Sequence, residues 1–225
     1  MPVLDEAASV RSALERLSAH RFHRVIVVDG GSVDGTAEIV EDYFADHERS
    51  GLLVRTSAGR AHQMNRGARE SDAEVLVFLH CDCTLPRDTR QLIGSAIDGG
   101  RVGGAFVIHT LREGRRPFVR RLLWLADLRS RYARLPYGDQ ALFVRRAVFE
   151  RVGGFPNQPI LEDIALAKRL TQWGTLARVR APVLVSSRRF EGNPFRTGLL
   201  MRAIPLLARL GVSPERLSSL YPPVR

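Results

Sequence analysis

Several residue types are scarce in this 225-residue chain, and each scarcity removes a class of protein. Cysteine occurs only as Cys81 and Cys83, so a disulfide framework is excluded and the reducing cytoplasm is the expected compartment. No run approaches the roughly 18 apolar residues that a spanning helix needs. Met1-Pro-Val-Leu-Asp-Glu6 has neither the basic region nor the apolar run of a secretory leader. Aromatic residues make up 7%, and no reader motif interleaves them with basic side chains, so a nucleic-acid partner is not expected. Neither the dinucleotide fingerprint G-x-G-x-x-G nor a Walker A motif occurs, which leaves nicotinamide and ATP-driven chemistry without support. Lysine is nearly missing: Lys168 is the single lysine among 34 basic residues.

What is present describes a globular domain. Hydrophobic residues at 44% and charged residues at 26% are ordinary for a chain with a core. The length suits one large α/β domain spanning 1–225, and no linker rich in Gly, Pro or Ser divides it. The charge is less ordinary. Net charge is +10, yet residues 1–100 hold 11 Arg against 16 Asp and Glu, while residues 101–225 hold 23 basic residues against 8 acids. A GC-rich genome would explain Arg over Lys, but not this asymmetry. The basic second half should attract an anionic acceptor or a membrane surface.

The first half alternates strand and helix. Arg24-Val-Ile-Val-Val-Asp29 and Glu74-Val-Leu-Val-Phe-Leu79 read as strands buried on both faces, and Leu52–Arg55 as a short one. Helical patterns run over Ala7–Ala19, Asp34–His47 with Asp34 as N-cap, Arg60–Arg69 and Arg87–Asp98. This order predicts a parallel, doubly wound sheet. Pro2-Val-Leu-Asp-Glu6 reads as the end of a shortened first strand. The second half is mixed, with strands at Gly103–His109, Gln140–Arg145 and Val183–Val185, and helices at Leu161–Trp173 and Phe195–Leu210. Between them, Arg115–Arg134 is Arg-rich and amphipathic, with Phe118, Leu122, Trp124, Leu125 and Leu128 at its apolar positions.

In parallel sheets, ligands bind beyond the carboxyl ends of the strands. Three polar clusters fall at such ends: Asp5-Glu6, Asp29-Gly-Gly-Ser-Val-Asp-Gly-Thr36 and His80-Cys-Asp82. Alone, Asp29 or Asp82 could simply cap a turn; three clusters at consecutive strand ends weaken that reading. Pro2-Val-Leu-Asp-Glu6, Val27–Thr36 and Gly59-Arg60…Asn65-Arg-Gly67 resemble the nucleotide-binding half of family 2 glycosyltransferases. Phe78-Leu-His-Cys-Asp82 resembles that family's DxD region, and Gly153-Gly-Phe…Leu161-Glu-Asp163 its acceptor-side acidic motif. The closer wording of Gly59–Gly67, Tyr137-Gly-Asp-Gln140 and Pro159-Ile-Leu-Glu-Asp163 is similar to a short bacterial subgroup associated with radical-SAM partners and arsenosugar biosynthesis.

The resemblance implies a GT-A fold, a Rossmann-like and mostly parallel sheet flanked by helices. Residues 1–100 would bind the nucleotide sugar and 101–225 the acceptor. It implies an inverting transfer from a nucleotide diphosphate sugar. Pro2, Val3, Asp5, Glu6, Asp29, Gly30, Arg60, Asn65 and Cys81 would bind the donor, and Asp82 would hold a divalent cation, Mn2+ or Mg2+. Asp163 would be the general base, with Tyr137, Asp139, Gln140 and Glu162 on the acceptor side. One departure stands out: His80 occupies a position where the family commonly has Asp, which lowers the negative charge at the metal. A zinc site made from Cys81, Cys83, His80 and Asp82 is the competing reading. It needs His80 and Asp82 on the opposite strand face from the thiols, and no further cysteine completes it.

Glu162 and Asp163 would also favour a helix N-terminus electrostatically without any catalytic role. Asp139 fits a tight turn as well as a binding site. Arg188-Arg189 reads either as a phosphate clamp or as a solvated pair. The segments at 115–134 and 195–210 could lie on an anionic membrane at the inner face, pair with a second copy in a homodimer, or cover the sheet. The rival classes are an anionic-surface or nucleic-acid binding protein, suggested by charge alone, and a sugar nucleotidyltransferase, whose Gly-rich basic signature is missing.

Overall fold

The structure is a computed structural model and describes residues 1–47, 51–112, 117–132, 135–188 and 194–220. In chain order the elements are β1 (Pro2–Val3), α1 (Ala7–Ser18), β2 (Val25–Asp29), α2 (Thr36–Asp46), β3 (Gly51–Arg55), α3 (Arg60–Arg69), β4 (Val75–Val77), β5 (Cys83–Thr84) and α4 (Thr89–Asp98). They continue as β6 (Gly103–Thr110), α5 (Pro117–Tyr132), a 3-10 turn (Gly138–Gln140), β7 (Phe143–Arg145), α6 (Arg146–Arg151), α7 (Glu162–Leu170), β8 (Leu176–Val185), α8 (Pro194–Arg209) and α9 (Pro214–Leu220). Arg115, Arg134 and Arg189 lie outside the described residues, as do the side chains of Leu122 and Leu125.

Local chemistry accounts for most of these elements. Helix α1 turns Val10, Ala13, Leu14 and Leu17 inward, the spacing of one apolar stripe. Val10, Ala13 and Leu14 pack with Val3, Val27, Val40 and Tyr43 on one side of β2. Helix α2 starts one residue later than expected, with Gly35 in place of Asp34 at the N-cap position, φ 90°. Asp34 instead ties two helix starts together, accepting the Thr36 N–H at 3.0 Å and the Ala7 N–H at 2.9 Å. The Thr36 hydroxyl and these amides hold its carboxyl below the ordinary range.

Two sheets form. In the first, β1-β2-β3, every pairing is parallel, as the strand–helix alternation predicts. In the second, ordered β4-β7-β6-β8-β5, only β6 and β8 run parallel. Strand β4 was expected to continue the parallel sheet; it pairs antiparallel with β7 instead. Strand β1 is two residues long. Its two residues lie opposite Val28 and Asp29, and the rest of that edge of β2 borders an apolar cavity of about 150 Å3 lined by Val25, Ile26, Val75 and Val77 among others. No acidic residue lines that cavity.

Strands β6 and β7 alternate between two cores. Phe106, Ile108 and Phe143 face one cluster with Ile93, Ile97 and Val183, whereas Ala105, Leu142 and Val144 face Phe78, Phe149 and Leu166. The crossing is tight enough to require glycine. A Cβ on Gly103 would lie 2.5 Å from the Phe143 carbonyl oxygen, and one on Gly104 2.5 Å from that of Ala177. Helix α5 is fastened to β6 by polar groups: buried Asp127 accepts the Thr110 N–H at 3.0 Å and pairs with Arg112, and Ser130 Oγ accepts the Ile108 N–H at 3.1 Å.

Candidate active site

The end of β2 carries an ordered acidic loop. Asp29 is 2% exposed, and its carboxylate accepts the N–H groups of Gly31 (3.0 Å) and Ser32 (3.1 Å) and the Ser32 hydroxyl. Asp5 stands beside it in the left-handed region, φ 52°, a conformation that Asp tolerates better than most residues. Its N–H donates to Ser32 Oγ (2.9 Å) and its carboxylate accepts the Val33 N–H (3.0 Å). Gly30 donates to the Val3 carbonyl, and the Glu6 N–H to Thr36 Oγ1 at 2.8 Å. Pro2, Val3, Asp5, Glu6, Asp29 and Gly30 therefore share one edge of the first sheet. Gln63, not anticipated as a site residue, fastens that edge: its amide donates to the carbonyls of Val3 and Val28, both at 2.8 Å. The available signal was its neighbourhood, since Ala61 and Met64 mark the inward face of α3 on which Gln63 also falls.

Helix α3 joins this edge to a cluster of acids. From its first residue, Arg60 Nε donates to Glu162 Oε1 at the start of α7. Arg60 thus reaches the acceptor-side acids. Burial works against its charge, and Glu162, Asp163 and Asp139 more than offset that, so its pKa is raised. Asn65, five residues on, holds both polar groups of the Phe155 backbone: its amide donates to the carbonyl (2.8 Å) and its oxygen accepts the N–H (2.9 Å). This bidentate contact clips Gly153-Gly-Phe155 to α3.

Glu162 and Asp163 are 1% and 8% exposed. Asp163 Oδ2 accepts the Gly138 N–H, and Oδ1 accepts the Ile164 N–H at 2.7 Å. Burial, reinforced by the charge of Glu162 and opposed by Arg60, pushes the Asp163 carboxyl up to about 6. The turn holding Gly138 is wedged in place: a Cβ there would lie 3.1 Å from Asp163 Oδ2 and 3.2 Å from His80 Nε2. Asp139 follows, and Gln140, 3% exposed, donates its N–H to the Tyr137 carbonyl. Cys83 Sγ lies 3.5 Å from Asp82 Oδ1 and 3.7 Å from the Asp139 carbonyl oxygen, so Asp82 and Asp139 flank the same thiol. His80, Asp82, Asp139, Glu162 and Asp163 are in this way brought into one neighbourhood. Within it, Asp139 Oδ1 and Glu162 Oε2 are buried with no hydrogen-bond partner among the described residues. Buried carboxylate oxygens are nearly always satisfied, by protein groups, water or an ion, and these two have acceptor capacity to spare.

Arg188 pairs with the acid that follows β1. It donates to both carboxylate oxygens of Glu6 at 3.0 Å and approaches Ser9 Oγ at 3.4 Å. The Glu6 bond foremost, with Asp82 contributing, raises its pKa. The sequence offered a phosphate clamp or a solvated pair; the structure gives a bidentate ion pair beside Asp82. Cys81 sits beneath α1 against Val3 and Val10, and burial pushes its thiol up to about 11.

The donor set decides which cation would fit. Cys81 and Cys83 face different cores, which counts against a shared zinc site. Among the described residues no three His, Cys, Asp or Glu side chains converge to hold an ion. Asp82 with His80 nearby suits a hard cation that takes most of its oxygens from a diphosphate and from water.

The family model for glycosyl transferase family 2 matches residues 1–154, more than half of the chain. The chain belongs to glycosyl transferase family 2. Among curated proteins, this family 2 chain is 28% identical over 187 residues to glycosyltransferase AglE of Haloferax volcanii, covering 77% of its own length and 60% of AglE. It is 27% identical over 123 residues to undecaprenyl-phosphate 4-deoxy-4-formamido-L-arabinose transferase of Aeromonas hydrophila, covering 51% and 36% of the two. Among solved structures, the mannosyltransferase PcManGT from Pyrobaculum calidifontis, in complex with GDP-Man and Mn2+, superposes with a TM-score of 0.69. The identity there is 22%, over 97% of this chain and 66% of that one. S. aureus TarS gives 0.63 at 16% identity, over 92% and 64%. The family 2 chain has the GT-A fold, and it spans about three fifths of the curated relative AglE.

Proposed function

We propose that this family 2 chain transfers a sugar from a nucleoside diphosphate sugar to an acceptor hydroxyl, with inversion and with a divalent cation, Mn2+ or Mg2+, at the diphosphate. The observation that carries the reading is the buried carboxylate of Asp163, held at the head of α7 in the neighbourhood that also contains His80, Asp82 and Asp139. The GDP-Man and Mn2+ bound by PcManGT support the choice of donor and cation.

In this reading Pro2, Val3, Asp5, Glu6, Gly30 and Cys81 floor the nucleoside site, and Asp29 orders the loop against which the base lies. A cation held by Asp82 would stabilise the charge that develops on the departing diphosphate. Asp163 takes the proton of the acceptor hydroxyl. The acceptor oxygen then bonds to the anomeric carbon from the face opposite the diphosphate, whose C–O bond breaks with its electron pair. A carboxyl at about 6 is ionised at neutral pH yet more basic than a surface aspartate, which suits that proton transfer. Arg60 holds Glu162 in place behind the base, and the orphan oxygens of Asp139 and Glu162 accept hydroxyl donors of sugar or acceptor. Tyr137 and Gln140 shape the same turn, while Asn65 supports the site by fixing Phe155. The wording of Gly59–Gly67, Tyr137–Gln140 and Pro159–Asp163 supports the short arsenosugar-associated subgroup, and two free thiols support a cytoplasmic setting.

A thermal-shift panel of UDP, GDP, CMP and dTDP, with and without Mn2+, tests the reading. One nucleotide should stabilise the chain in a Mn2+-dependent way, and Asp82→Asn should remove the Mn2+ dependence. Stabilisation by random oligonucleotides but by no nucleotide would reject it in favour of an anionic-polymer binder.

A further inference from the structure

Helices α5 and α8 present an outer surface that is inverted relative to an ordinary solvent-facing pair. The single acid of α5, Asp127, is turned inward, 4% exposed and paired with Arg112, and Ser130 is 3% exposed. The outer face of α5 carries Phe118, Trp124 and Tyr132, exposed at 42%, 50% and 76%. Helix α8 contains no acid, and its exposed Phe195, Leu199 and Leu206, with exposed Leu210 directly after its end, follow the spacing of one helical stripe. Phe118 stacks on Phe195 with ring centroids 5.2 Å apart, so the two faces form one patch. Exposed Arg120, Arg121 and Arg131 on α5 and Arg196, Arg202 and Arg209 on α8 share these outer faces. Singly exposed apolar residues are common, but seven large ones on two adjoining acid-free helix faces are not.

We infer that the outer faces of α5 and α8 form a docking surface for an anionic phospholipid membrane. The chemistry is complementary on both counts. Aromatic and leucine side chains partition into the boundary between headgroups and acyl chains, and arginines reach the phosphates from the same faces. Among the described residues no helix is long and apolar enough to cross a membrane, so contact through this surface is parallel to the bilayer plane. Tyr137–Gln140 follows α5 by a few residues and Arg188 precedes α8 by a few, so the docked helices adjoin the candidate site in the chain. This inference does not depend on the transfer chemistry.

Co-sedimentation of the full chain with vesicles tests it. Binding is expected to vesicles of equimolar phosphatidylcholine and phosphatidylglycerol, and not to phosphatidylcholine alone, with loss of binding as salt rises. Leu199→Glu and Trp124→Ser, both at exposed positions, should each weaken binding at least tenfold without changing the melting temperature. Arg202→Gln should weaken it about fivefold, the effect of one arginine near a charged bilayer. Arg87→Gln, exposed on the loop before α4, should leave it unchanged. The inference is overturned if the anionic vesicles do not bind the chain, or if Leu199→Glu and Trp124→Ser bind as well as the wild type. It is equally overturned if analytical ultracentrifugation shows a dimer that Leu199→Glu dissociates while vesicles compete for nothing.

Discussion

Replacing Asp163 with asparagine should make the protein more stable and far less active. The carboxyl titrates near 6 in the folded chain against an ordinary value of 3.8. A raised pKa means that the folded state binds the proton more tightly than the unfolded one. The corresponding stability is fully present below about 4 and is lost as pH rises through about 6. At neutral pH the native state therefore bears the cost of a buried charge, up to about 3 kcal/mol for a shift of this size. Asparagine matches the neutral carboxyl in shape, but its one carbonyl oxygen can accept only one of the Gly138 and Ile164 N–H groups, and the other then faces the amide NH2 at a cost of about 1–3 kcal/mol, so the net gain should be about 1 kcal/mol. For a chain of this length, about 1 kcal/mol is roughly 2–4 °C in melting temperature. On the proposed mechanism the same change removes the general base and should lower kcat by about 10²–10⁴. The wild-type rate should fall on acidification through about 6 and the variant should lose that limb. Thermal unfolding and a coupled assay for released nucleoside diphosphate, both across pH, measure the two effects. A variant that keeps its rate within a few-fold refutes the role of Asp163; one that melts below wild type at pH 7.5 refutes the account of its charge.

Other parts of the site yield sharper single tests. Asn65→Ala deletes two hydrogen bonds to Phe155 and should cost about 2 kcal/mol in urea unfolding; an unchanged midpoint would show that the clip carries no stability. Gly138→Ala pushes a methyl group against His80 and Asp163, so kcat should fall roughly tenfold to a hundredfold with the fold intact by circular dichroism. Wild-type kcat in that variant would mean that the turn yields freely. Arg188→Gln should raise the donor KM about tenfold with a smaller effect on kcat, because a guanidinium beside Asp82 can exchange Glu6 for a phosphate; an unaltered KM would assign it to structure alone.

Much of this chain was legible in its residues taken locally. An apolar run ending in Asp29 marks both a buried strand and the edge where a ligand can approach, because both properties depend on neighbours only a few residues away. Glu162-Asp163 at the head of a helix after Pro159 was legible for the same reason. The start of α2 lies one residue later than its pattern predicts, since a left-handed Gly35 and not Asp34 sets it.

What only the tertiary structure decided is which of these groups meet. Arg60 and Glu162 are 102 residues apart in sequence, Asn65 and Phe155 90, and Arg188 and Glu6 182, yet each pair is in hydrogen-bond contact. Those partnerships depend on strand order, and the antiparallel pairing of β4 with β7 brings chain segments together that no local pattern connects. Residue type told where charge would gather; the tertiary packing determined that Asp163 would lie buried and so hold its proton more tightly.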